Sequence, residues 1–106
     1  MINVKFFHSE NGAPLGFSFN GHAGYAAHGS DIVCAAISSV AYMTANTIIE
    51  IMKIEADADV NENGAMTLKV PEESAEKTKE LLLGLELHIN ELGKQYPKNV
   101  TITTEV

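Results

Sequence analysis

The sequence predicts an α+β fold of order ββαββαβ, a single domain over residues 1–106 with two helices packed on a mixed or antiparallel sheet. Three observations carry this expectation. Residues 1–20 alternate apolar and polar positions, the spacing changes to a helical one at Asp31, and a second helical stretch follows Pro71.

Met1 to His8 places Ile2, Val4 and Phe6 on one side of a strand. Asn11-Gly12-Ala13-Pro14 is a turn signal, and Leu15, Phe17 and Phe19 alternate through a second strand that pairs with the first as a hairpin. Residues 21–30 (GHAGYAAHGS) hold three glycines and no apolar period, so they read as a loop. From Asp31, residues Val33, Ile37, Val40, Thr44, Ile48 and Ile51 recur at three- and four-residue steps. Ser30 or Asp31 is the natural N-cap, and the helix should run to about Lys53.

Ile54–Val60 and Ala65–Val70 read as short strands joined by a turn containing Asn63-Gly64, a dipeptide that tolerates positive φ. A second helix is expected from about Ser74, with Glu72, Glu73 and Glu76 near its positive end. Leu81, Leu82, Leu85, Ile89, Leu92 and Tyr96 form its apolar stripe. Pro97 ends it, and Val100–Thr104 is a last strand.

Composition narrows the function. Seven Lys+Arg against fourteen Asp+Glu give a formal charge of −7, with the lysines scattered along the chain. No basic footprint for a phosphate backbone results, so direct nucleic-acid binding is not expected. A basic partner would be favoured. The start, Met1-Ile2-Asn3-Val4-Lys5, is not a charged leader followed by an apolar run, and no uninterrupted apolar run reaches membrane length. A single cysteine forms no internal disulfide. The sequence therefore points to a cytoplasmic protein without a membrane segment.

The stretch Gly21 to Ser38 resists a purely structural account. On a helical wheel Asp31, Cys34 and Ser38 share one stripe beside the apolar face. This places Cys34 in the helix's first turn, where free N–H groups and the dipole favour an anion, with His22 in the glycine-rich loop twelve residues upstream. A thiol paired with an imidazole is the nucleophile of cysteine hydrolases. Other readings stay open on spacing alone. Cys34 could be a small buried hydrophobe, a redox-sensitive thiol, or, with His22, His28 and Asp31, part of a zinc site of no standard spacing. Ser38 and Ser39 lie mid-helix, away from the strained elbow of a serine hydrolase.

Gly21-His22-Ala23-Gly24-Tyr25, followed by Gly29-Ser30-Asp31-Ile32-Val33-Cys34-Ala35-Ala36-Ile37-Ser38, closely resembles the ribosomal-processing cysteine protease family. The resemblance covers essentially the whole chain. It implies a cysteine endopeptidase that removes the N-terminal extension of a large-subunit ribosomal protein. Cys34 would be its nucleophile, His22 the general base and Asp31 an assisting residue. Ser38, Gly21, Gly29 and Ser30 would assist or bind substrate. It also implies a homodimer, no cofactor and no metal. The competing class is a non-catalytic assembly module that grips a basic tail through an acidic groove. Gly21, Gly24 and Gly29 raise the entropy cost of fixing the loop, so His22 is expected to reach Cys34 only with substrate bound.

Overall fold

A computed structural model describes residues 1–20, 28–61 and 65–106, with the backbone alone for 28–31. Its elements are β1 (Ile2–His8), β2 (Pro14–Asn20), α1 (His28–Asn46), a π-helical turn (Thr47–Ile51), β3 (Asp57–Val60), β4 (Met66–Lys69), a short 3₁₀ turn (Glu72–Ser74), α2 (Ala75–Gln95) and β5 (Val100–Glu105). The expected ββαββαβ order stands.

The five strands form one mixed sheet in the order β3-β4-β2-β1-β5. β1 and β2 are the expected antiparallel hairpin, with Phe6 opposite Phe17. β5 runs parallel to β1, with Ile2 opposite Val100. The Ser9–Gly12 turn closes through the Gly12 N–H donating to the Ser9 carbonyl at 2.9 Å. Gly12 has φ 85°, a conformation glycine adopts without a Cβ penalty. Pro14 opens β2 rather than ending the turn, a position where its missing N–H is tolerated. At Gly16 an added Cβ would fall on the Leu68 carbonyl, so β2 and β4 can approach only because this residue is glycine.

Alternation puts Ile2, Val4, Phe6, Leu15, Phe17, Phe19, Met66 and Leu68 on one buried sheet face. Val33, Ile37, Ala41 and Thr44 of α1 and Ile48 of the π turn, with Leu82, Leu85 and Ile89 of α2, close the core over it. By composition Ile32–Ile51 is long and apolar enough to cross a membrane. Its inner face is occupied by this core, and 33% of that stretch is buried. A half-buried pair, His8 Nε2 to Glu86 Oε2 at 2.8 Å, ties the end of β1 to α2.

The bounds differ from the expected ones in three informative places. α1 begins at His28, so Ser30 and Asp31 are first-turn residues rather than caps. Glycine at 29 and the lack of an apolar period made this turn look like loop. At its other end α1 passes into the π turn, where the Met52 N–H donates to Thr47 O at 2.8 Å. The chain then leaves through Lys53 at φ 59°, with the Ile54 N–H donating to Ile48 O at 3.0 Å. These bonds, and one from the Ala56 N–H to Ile54 O, use the backbone of residues 54–56. The strand expected from Ile54 therefore starts only at Asp57. Between β3 and β4, Val60 pairs with Met66; Asn63-Gly64 lies outside the described residues.

Candidate active site

The chain leaves the sheet at Asn20, the end of β2, and re-enters described structure at His28, the first residue of α1. Cys34 is the seventh residue of that helix, about 9 Å along the axis from its start. The first-turn placement expected from sequence is thus corrected to the second turn. The Cys34 N–H falls within the i→i−4 ladder, and the four N–H groups free of it belong to residues 28–31. The dipole fades beyond the first turn. Side chains on a helix lean toward its N-terminus, however, so the Cys34 thiol is carried back toward the turn that holds Ser30 and Asp31.

Cys34 is a free thiol of intermediate exposure packed at the margin of the core. Val33 and Ile37 beside it are fully buried, and Ile32 is exposed. Ser38, one turn on, is half-buried like Cys34. The two form a flank between the core face and the solvent face. Cys34 is set off from the fully buried inner face of Val33 and Ile37, half-buried at its margin.

Of the other expected site residues, Gly29, Ser30 and Asp31 lie on the backbone of the first turn of α1. His22 and Gly21 lie outside the described residues, as does the expected separation of His22 from Cys34. No group of His, Cys, Asp and Glu able to hold a metal occurs among the described residues.

The described part of this site is therefore a half-buried thiol on α1, one turn beyond the backbone of Asp31. The chain belongs to the family described as Cysteine protease Prp, whose sequence model matches residues 1–101. It is a cysteine peptidase. It is similar to the "Ribosomal processing cysteine protease Prp" of Bacillus subtilis, 29% identical over 111 residues, which covers 100% of this chain and 99% of that one. The Staphylococcus aureus protein of the same name is 23% identical, covering 96% and 97%. Among solved structures, an S. aureus ribosomal processing protease Prp in complex with a substrate peptide superposes with a TM-score of 0.89 at 21% identity, over 99% of this chain and all of that one. SMU.848 from Streptococcus mutans gives 0.82 at 28% identity, over 99% of this chain and 96% of that one. These likenesses bear out the α+β sandwich and the peptidase expectation together.

Two features of the surface were not legible beforehand. The outer face of α1 carries exposed Ile32, Tyr42 and Met43; their spacing contains a second apolar period that the stronger inner one hides. β3 is an edge strand exposed at all four residues, which follows from strand order rather than from local sequence.

Proposed function

We propose that this peptidase removes the N-terminal extension of a large-subunit ribosomal protein, with Cys34 as nucleophile, His22 as general base and Asp31 assisting. The observation that carries this reading is the free, half-buried Cys34 on α1, within the Gly21–Ser38 motif, in a chain of the Cysteine protease Prp family. Relatives in two bacteria are named for ribosomal processing. The charge of −7 suits a basic substrate.

In the mechanism, the Cys34 thiolate adds to the scissile carbonyl carbon, and the oxyanion is stabilised by N–H donors such as those free at residues 28–31. The C–N bond breaks as His22 delivers its proton to the leaving amine. Water, deprotonated by His22, then attacks the thioester and releases the acid and the thiol. Asp31 orients His22 or stabilises its charged form. With Cys34 in the second turn, activation of the thiol rests more on His22 than on the dipole. Ser38, Gly21, Gly29 and Ser30 assist or line the substrate site. No cofactor enters these steps.

The protein acts in the cytoplasm as a homodimer, without binding nucleic acid. The dimer is supported by the outer face of α1, where Ile32, Tyr42 and Met43 are exposed and uncharged. The decisive test mixes purified protein with the extended ribosomal protein and measures product masses. Loss of an N-terminal fragment, abolished in Cys34→Ala, is expected; an unchanged mass would overturn the substrate.

A further inference from the structure

Cys34 and the edge strand β3 are related by the topology. β2 and β3 both run antiparallel to β4, so they are parallel to each other and α1 is the crossover between them. Such crossovers are right-handed. α2 makes its sheet contacts with β2 and β5, leaving α1 for the β4 side. With about 100° between successive residues, the inner face of α1 centres on Val33, Ile37 and Thr44, and Cys34 and Ser38 lie clockwise of it viewed from the helix start. In a right-handed crossover that flank looks toward β3, and the opposite flank looks toward α2.

Val60 of β3 is level with the end of β2, the strand that precedes α1 in the chain. Asn20, the last residue of β2, follows Phe19, which pairs with Met66, which in turn pairs with Val60. β3 extends about 13 Å inward from there, and Cys34 lies about 9 Å along α1.

β3 offers what an extended chain needs. The Asn61 N–H donates to Ala65 O at 2.9 Å, so that pair is hydrogen-bonded. By antiparallel alternation Asp59 and Asp57 also bond to β4, and the N–H and C=O groups of Ala58 and Val60 point outward. Ala58 and Val60 face the helix side, like their partners Leu68 and Met66, yet both are exposed, Val60 at 48%. Asp57 and Asp59 face the other side. Asp57 lies opposite Lys69, while Asp59 has no ionic partner among the described residues.

We propose that the substrate peptide is held as an added strand on the edge of β3 that no described strand covers. Its main chain bonds to Ala58 and Val60, small or apolar side chains face α1, and a basic one faces Asp59. An edge-pairing peptide of this kind takes affinity from backbone bonds and specificity from alternate side chains. It would run outboard of β3, on the side toward which the Cys34 flank looks. The proposal rests on Cys34 being the nucleophile.

Ala58→Pro tests it, because it deletes one outward N–H without removing a bond to β4. The probe is a peptide this enzyme cleaves, selected by mass spectrometry from a proteome-derived peptide mixture, so the test does not depend on the physiological substrate. Ala58→Pro should lower kcat/KM roughly tenfold through KM, the scale of one lost hydrogen bond. The rate of Cys34 alkylation by iodoacetamide and the melting temperature should stay at their wild-type values. In Cys34→Ala protein, the Ala58 and Val60 amides should gain exchange protection when the peptide is added. That second measurement decides the matter if Ala58→Pro folds poorly. Unprotected amides, or unchanged kcat/KM in a folded Ala58→Pro, would overturn the edge site. Cleavage surviving in Cys34→Ala would instead remove the nucleophile assignment.

Discussion

The two helices are nearly equal in length, 19 and 21 residues, and pack side by side, but their outer faces differ. α2 turns Glu76, Lys77, Glu80, Glu91 and Lys94 to solvent, relieved only by Leu83 and Leu87. Its inner stripe suffices to explain it as a core element. From Ile32 onward α1 carries no charge, and it exposes Ile32, Ala35, Tyr42 and Met43 opposite its buried side. A helix apolar on both faces has more apolar surface than the core requires. The difference teaches that the core accounts for the apolar residues of α2 but for only one face of α1, whose remaining surface is the part used by the proposed nucleophile and dimer.

The largest expected effects fall on α1 and its approach. Cys34→Ala and His22→Ala should each lower peptide cleavage by about a thousandfold or more, as removal of a nucleophile or its base does. Circular dichroism should remain that of the wild type, because Cys34 sits at the margin of the core. Substantial activity in either variant would break the comparison at its centre. Asp31→Asn should cost about 10²- to 10⁴-fold by loss of an orienting carboxylate, whereas His28→Ala should cost little. A dead His28→Ala that also responds to chelators would favour a metal instead.

On α2 the same scale of change should appear as stability. Leu82 is 1% exposed, and Leu82→Ala leaves a cavity worth about 2–5 kcal/mol. For a domain of this size each kcal/mol lowers the melting temperature by roughly 4–8 °C. Activity per folded molecule should be retained well below the transition. If Leu82→Ala instead lowered the activity of fully folded protein, α2 would not be a merely structural helix.

The outer face of α1 gives a smaller and more selective effect. Tyr42→Glu with Met43→Glu puts two charges where uncharged side chains now face solvent. The pair should weaken self-association at least about tenfold, on the order of 1.4 kcal/mol, read by light scattering after size exclusion. The melting temperature of the monomer should change little. A protein that is monomeric before substitution would show that this face serves something other than a second copy.

Much of this was legible in the sequence, for identifiable reasons. The alternation of Ile2, Val4 and Phe6 and the stripe of Leu82, Leu85 and Ile89 report burial directly, so the β1–β2 hairpin and α2 emerge with nearly their observed bounds. Cys34 was legible as a candidate because its neighbours are apolar and its flank is not. What was hidden depends on backbone geometry or on strand order. The start of α1 at His28 carries no apolar signal. The π turn and the αL residue Lys53 consume the backbone of residues 54–56, which by side chain alone look like strand. Among the described strands, β3 is at the edge because β5 joins the sheet at the opposite side.

The smallest effect probes where α1 hands over to β3. Lys53 holds φ 59°, the left-handed region in which a side chain with a Cβ is strained by about 1–2 kcal/mol. It does so at the position that ends the helix, where the Ile54 N–H reaches back to Ile48 O. Glycine is the common residue at such a stop because it has no Cβ to clash. Part of that relief is offset by the greater freedom glycine gives the unfolded chain. Lys53→Gly should therefore raise stability by a net of about 0.5–1 kcal/mol, seen as a higher urea midpoint at unchanged slope. Cleavage should be unaffected, since Lys53 lies five turns along the helical segment from Cys34, by roughly 3.6 residues per turn. A stabilised enzyme with altered KM would mean instead that the strained stop sets the position of β3, and hence of the strand proposed to hold substrate.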